Sequence, residues 1–422
     1  MTKSKIGGPA LVGFYYLFFA FIVASMVWVD GNTAFYVSIV PFLVTAAFLV
    51  VICFGSRRAI NIRFLLICMV LVPLLFVGPL ERHTLYIRLF ALEFLLLFFL
   101  FTEFEVSLAA FSRCLNLSYV MYFALSFMDW LGFLPLVSED SKNSFFISLG
   151  GFTIETLYGI GGSTADIDSY SGLVLIWNLF VNRGGRYRLV MIGLSAMAML
   201  LTFRFTPVVA LFVACFSYLF VRNRLLAMLA LIMPALGFIA VLTILHFNPS
   251  AQPPLMPTGT SWYSLLWDAT HARSSIWVGQ VHYYLTEFRL GDFFLGPMDE
   301  RMTVDFIDDD GRVHKDSYNP HNTYLALLFR STILFAIIYA LFLWAMSRRA
   351  RHNTFPVIFF ISIVAYTNAS IMGLQNPAFL LVTMFLLMAV PRGHFREHFR
   401  HDFGGKAHEL RTGSGIQGQA LC

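Results

Sequence analysis

Four residues of this chain have side chains suited to chemistry on an amphiphilic substrate: His321, Arg204, Arg273 and Arg88. His321 opens the run His321-Asn322-Thr323-Tyr324-Leu325, where a long hydrophilic stretch gives way to an apolar one. Imidazole has an ordinary pKa close to neutrality, so at a water–lipid boundary it suits the removal of a proton from a hydroxyl. Capping a helix or touching headgroups is the alternative use. Arg204 lies in Leu201-Thr202-Phe203-Arg204-Phe205-Thr206-Pro207, a tight turn between apolar runs. Guanidinium clamps phosphate through paired hydrogen bonds, which a pyrophosphate held at a lipid interface would need. The competing use is snorkelling to headgroups. Arg273 and Trp277 are one helical turn apart and offer a phosphate contact beside a ring that stacks on sugar or anchors at the interface. Arg88 and Glu93 share an apolar run but fall on different helix faces, so they need not pair. Arg88 reads as a phosphate contact or a snorkelling cation, and Glu93 as protonated or bonded to a neighbouring helix.

Two acidic clusters invite a metal reading, because carboxylates hold divalent cations beside phosphates. Asp308-Asp309-Asp310 adjoins Gly311 and reads as a solvated turn. Asp166-Ile167-Asp168 is the other cluster. The chain has no phosphate-binding glycine loop of the Walker type and no His/Cys metal spacing, so no metal and no cofactor is expected. Cys53, Cys68, Cys114, Cys215 and Cys422 form no disulfide pattern.

The elements that must position these residues are apolar helices. Charged residues make up 13% of the chain, against about a quarter in soluble domains, and mean hydropathy is +0.72. The expected fold is therefore all-α and polytopic, with about twelve transmembrane helices and one large periplasmic loop containing a surface helix. The spans are expected near 10–29, 34–54, 63–80, 85–102, 116–137, 167–182, 188–203, 206–221, 225–246, 322–346, 355–372 and 376–391. The first run follows Lys3 and Lys5 and is long for a signal-peptide core, so it reads as an uncleaved span.

Loops carrying Arg57, Arg58 and Arg63, then Arg183, Arg186 and Arg188, then Arg222 and Arg224, then Arg348, Arg349 and Arg351 all fall on one side. The positive-inside rule makes that side cytoplasmic, with both termini. The organisation read from this is helices over 1–137, further helices with a Gly-rich periplasmic segment over 138–246, and a periplasmic loop over 247–321. C-terminal helices over 322–391 and a basic tail over 392–422 complete it. Within the loop, the stretch from His271 to Leu290 has helical apolar spacing and reads as a surface helix stopped by Gly291. No internal repeat is visible, which disfavours a transporter built from repeated halves.

Three runs resemble the bacterial O-antigen ligase and polysaccharide polymerase family. Gly161-Gly162-Ser163-Thr164-Ala165-Asp166 is similar to the family's glycine-rich segment before a helix. Leu201-Thr202-Phe203-Arg204 resembles its Leu-Thr-x-Ser-Arg run, with Phe203 in place of Ser. Arg273-x3-Trp277, Phe294-Leu295-Gly296 and His321-Asn322-Thr323-Tyr324-Leu325 follow the order of its large periplasmic loop and His-Asn boundary. The likeness covers residues 150 to 390; the earlier spans match only in hydrophobicity.

The resemblance implies an inner-membrane glycosyltransferase with a periplasmic active site, working without metal on undecaprenyl-pyrophosphate-linked glycans. His321 would be the base. Arg204 and Arg273 would meet phosphate, Trp277 the sugar, and Asn322 and Tyr324 would orient the imidazole or the sugar. Implied partners are the lipid-linked donor, the glycan acceptor, the bilayer and other polysaccharide-assembly proteins such as a chain-length regulator, and no nucleic acid. Ligases of the family carry Gly about ten residues after His-Asn. Here Arg330-Ser331-Thr332-Ile333 has none, which favours a polymerase over a ligase acting on lipid A-core. A secondary transporter or a lipid-linked oligosaccharide flippase is the reading from a different class.

Overall fold

Polar residues on two helices decide how the centre of the fold is assembled. The computed structural model describes residues 107–220 almost throughout, 353–367, 377–388, three short strand pairs, and isolated positions that include Trp277 and Asn322. Its helices are α1 (Leu108–Trp130), α2 (Thr164–Phe180), α3 (Arg188–Thr202), α4 (Phe205–Phe220), α5 (Phe355–Thr367) and α6 (Pro377–Met388). Among the described residues, α1 alone is long and apolar enough to cross a membrane. The spans expected near 10–29, 34–54, 63–80, 85–102, 225–246 and 322–346 lie outside the described residues apart from isolated positions.

The other five helices all pack on α2, and every residue from Asp166 to Asn178 is buried. A helix enclosed on all sides must satisfy each polar group it carries from its neighbours. α1 supplies them as an antiparallel ladder. Ser112 accepts from Trp177 Nε1 at 3.1 Å. Asn116 and Asn178 exchange amide hydrogen bonds of 3.1 and 2.9 Å, and the Tyr119 and Ser171 hydroxyls meet at 2.8 Å. These α1 positions recur at helical spacing, so one polar stripe faces one polar stripe. Hydroxyls without such a partner turn back on their own helix, as Ser118 does to Cys114 O and Thr383 to Phe379 O.

Apolar contacts lock the C-terminal end and the middle of α2. Phe111 and Phe385 stack at 4.0 Å beside Trp177. Gly172 lets Phe360 of α5 close in, since a Cβ there would stand 2.4 Å from the ring. The outer faces of α3 and α4 show the reverse pattern: Leu189, Phe205 and Phe212 are 78%, 82% and 75% exposed.

The helix expected over 116–137 in fact covers 108–130. Ser107 caps its start by accepting from Ala110 N. Gly132, with φ +77, turns the chain off its end, and the Asp129 carboxylate accepts from the Leu136 and Val137 amides. Hydropathy runs on through Phe133-Leu134-Pro135-Leu136, so a hydropathy window reads them as helix, whereas the backbone stops at the glycine.

Strands also appear outside the segments where helices were expected. β1 (Ser4–Lys5) pairs in parallel with β2 (Phe104–Glu105). β3 (Phe146–Leu149) and β4 (Phe152–Glu155) form an antiparallel hairpin joined by Gly150 and Gly151, whose φ values of 56° and 91° are what a two-residue primed turn requires. β5 (Thr303–Ile307) and β6 (Val313–Ser317) pair with Ile307 opposite Val313, the two residues that flank the segment containing the triple Asp.

Candidate functional site

The polar groups gather at one end of α2, where its first turn meets the α3–α4 turn and the chain leaving the β3–β4 hairpin. Ser163 caps α2 by accepting from Ala165 N at 3.2 Å, and Asp166 sits in the first turn, where the helix dipole favours an acid. The approach to that cap is pinned twice: Gly159 N donates to Ser163 O at 3.0 Å, and Leu157 N donates to Leu201 O at 2.9 Å. The second bond ties the Gly-rich segment directly to the last turn of α3.

α3 ends on Phe203, the one non-glycine residue with positive φ (51°) among the described residues. That left-handed residue reverses the chain into α4 in a single step and delivers Arg204 over the start of α2. Arg204 is half-buried, and its Nη1 donates to Thr164 Oγ1 at 3.1 Å. Asp168, one turn beyond Thr164 on the same face of α2, is fully buried. Asp166, Tyr119, Tyr122 and Tyr170 complete a buried polar cluster. Tyr122 lies within electrostatic reach of Asp166, and the Tyr170 ring meets those of Tyr119 and Tyr122 edge-on at 5.2 and 5.5 Å.

Gly159 makes the cluster possible. A Cβ at that position would stand 2.1 Å from the Tyr122 hydroxyl. Beside it, Tyr158 carries the Lys142 ammonium over its ring at 5.3 Å. Burial pushes the Tyr158 phenol up to about 12, although Lys142 pulls the other way. The hydrogen bond to Glu139 holds the Lys142 ammonium above its ordinary value.

The opposite end of the same helices carries a different set of cations. Arg188 donates to the Asn178 and Leu179 carbonyls at 2.8 and 3.4 Å, and Arg183 to the Tyr218 hydroxyl at 2.7 Å. Arg188 thereby closes the end of α2, and Arg183 is held by a side chain of α4. Arg204 donates one hydrogen bond to Thr164, and its guanidinium fork has further donors that a ligand could take.

Of the residues singled out in the sequence, Arg204 falls in this cluster. Trp277 is helical and buried, and Asn322 is buried. Arg88, Glu93, Arg273, His321 and Tyr324 lie outside the described residues, as do Asp308, Asp309 and Asp310. Sequence inspection overlooked Thr164, Tyr119, Tyr122 and Gly159. It considered Asp168 only beside Asp166 as a metal ligand, and among the described residues no group of three or more metal-ligating side chains occurs. The available signal was the helical spacing of Ser112, Asn116, Tyr119 and Ser126 on α1, a polar stripe that needs a polar partner.

Comparison of the chain with protein-family models, with curated proteins and with solved structures finds no match.

Proposed function

We propose that the chain is a multi-pass glycosyltransferase of the bacterial inner membrane. Its expected activity is that of a polysaccharide polymerase, moving a glycan of O-antigen or exopolysaccharide type from undecaprenyl pyrophosphate to a lipid-linked repeat unit at the periplasmic face. The observation that carries this reading is the hydrogen bond from Arg204 to Thr164. It joins two of the three segments that carry the likeness to this enzyme family, Gly161 to Asp166 and Leu201 to Arg204, and it sets a cation at their junction. The exposed apolar faces of α3 and α4 suit a lipid environment, and the ladder of hydrogen bonds between α1 and α2 suits helices that associate within one.

In the proposed reaction, His321 accepts the proton of the acceptor hydroxyl as that oxygen bonds to the anomeric carbon of the donor. The bond from that carbon to the pyrophosphate oxygen breaks, and its electron pair leaves with the pyrophosphate. Arg204, with Arg273, neutralises the charge that develops there. Pyrophosphate is already a good leaving group, so the step is written without a metal. A single displacement inverts the configuration of the anomeric carbon.

The test is the product pattern of a deletion strain complemented with the parent or with His321→Ala. Surface glycan cut to a single repeat, restored by the parent and not by His321→Ala at equal membrane abundance, is the expected result. Polymer stranded on its lipid carrier would instead mean a ligase. Repeats trapped in the cytoplasmic leaflet would mean a flippase. Glycan lengthening at the parental rate by His321→Ala would remove that residue from the mechanism.

A further inference from the structure

The β3–β4 hairpin has two unlike faces. Its register sets Ile147 opposite Ile154 and Ser148 opposite Thr153, and successive side chains of a strand point to opposite faces. Ile147, Phe152 and Ile154 therefore share one face. Ser148, Thr153 and Glu155 share the other, with Phe146 at its open end. The apolar face is uncovered: Phe152 is 76% exposed and Ile154 38%. A two-stranded hairpin is marginal by itself in water, so an apolar face of this kind calls for a surface to rest on.

The base of the hairpin shows where that surface lies. Trp130, in the last turn of α1, donates from Nε1 to Glu155 O at 3.0 Å, and Thr156 N donates to Phe145 O at 2.9 Å. α1 is long and apolar enough to cross a membrane, and a Trp at the end of such a helix suits the interfacial aromatic belt. Just past the hairpin, Leu157 N holds Leu201 O beside the α3–α4 turn. Phe133 beyond α1 and Phe205 at the start of α4 are exposed at this end too. The hairpin is thus fastened level with the end of α1, away from Arg183 and Arg188.

The backbone decides the depth. β3 and β4 form a sheet of two strands, so each has an outer edge of N–H and C=O groups. Hydrocarbon cannot satisfy such edges, whereas headgroups and interfacial water can. The hairpin therefore suits a position flat at the headgroup level, with its apolar face towards the acyl chains.

We infer that the β3–β4 hairpin is a membrane-surface element: the face of Ile147, Phe152 and Ile154 rests on lipid at the Arg204 end of the bundle, and Ser148 and Thr153 face water. This rests on the multi-pass membrane reading above, and one experiment separates the two. The full chain, with the photoreactive amino acid p-benzoylphenylalanine placed at Phe152, Thr153 or Phe212, is reconstituted into vesicles of phosphatidylethanolamine and phosphatidylglycerol with radiolabelled acyl chains, then irradiated. Phe212, on the exposed face of α4, reports whether the helices sit in lipid at all.

Strong lipid labelling is expected at Phe212 and Phe152, and several-fold weaker labelling at Thr153. Labelling at Phe212 without Phe152, or equal labelling at Phe152 and Thr153, overturns the hairpin assignment and leaves the membrane reading standing. Labelling at neither Phe position overturns both. A covalent dimer formed through Phe152 in place of a lipid adduct means that a second copy covers this face, which also overturns the assignment. If the Phe152 variant does not accumulate, the same probe at Ile154 reports on the same face.

Discussion

Arg204 and Thr164 lie 40 positions apart and are joined by a hydrogen bond of 3.1 Å from Nη1 to Oγ1. The bond fastens the α3–α4 turn to the first turn of α2. It also gathers the cationic, acidic and aromatic groups of the candidate site around one helix end. Each of the following expectations depends on that junction or on the helices that hold it in place.

Arg204→Lys keeps the charge and loses the planar fork. If phosphate is gripped in bidentate fashion, transfer by Arg204→Lys falls substantially, and Arg204→Ala falls further, by about 10²-fold, as for loss of one donor to developing negative charge. The check is the rate of lipid-linked glycan extension by purified protein at matched amounts. Parental activity in Arg204→Lys would leave snorkelling as the use of this side chain.

Gly159→Ala should be poorly tolerated. The added methyl meets the Tyr122 hydroxyl at 2.1 Å, and the buried Tyr122 ring has no room to swing away. The expected cost is about 1–3 kcal/mol, read as an earlier midpoint of thermal inactivation in detergent. Tyr122→Phe removes the clashing oxygen. The double variant should therefore be less damaged than the two single losses added together, and strict additivity would contradict the close approach.

Phe203 adopts a left-handed backbone without being glycine. A β-branched side chain is disfavoured in that region more strongly than Phe, whereas Asn tolerates it. Phe203→Val is expected to lose about 1 kcal/mol relative to Phe203→Asn, measured by the same inactivation midpoints. Equal midpoints for the two would mean that the turn is not left-handed at this residue.

Asn178 sits at the hub of an amide network. It exchanges hydrogen bonds with Asn116, donates to Val174 O at 2.8 Å and accepts from Asn182 at 2.8 Å. Asn178→Ala leaves Asn116 and Asn182 without that hub and should cost about 1–2 kcal/mol. Adding Asn116→Ala should cost little more, since its partner is already gone. A full second loss would show that the two amides act independently.

Much of the local structure was legible in the sequence, because it is set by neighbours in the chain. The apolar runs near 167–182, 188–203, 206–221, 355–372 and 376–391 coincide with helices to within a few residues. Arg204 stood out as a lone cation in a tight turn, and that turn is where the structure has it. Gly150-Gly151 between two apolar runs was a readable hairpin signal that hydropathy alone passed over. Pairing residues across the fold was not legible. The meeting of Trp177 with Ser112, 65 positions apart, depends on the antiparallel register of two helices, which no local window contains.

The sequence by itself determined an apolar, helix-rich chain and the chemical character of its few polar residues, since composition and spacing depend only on residue type and order. The tertiary structure alone decided which polar residues share a site. It enclosed Asp168 inside the bundle, bonded Arg204 to Thr164, and ended α1 at Trp130 by a glycine turn and an aspartate cap. The physical reason is that burying a polar group costs free energy until a partner offsets it, and those partners arrive only when distant helices come into contact.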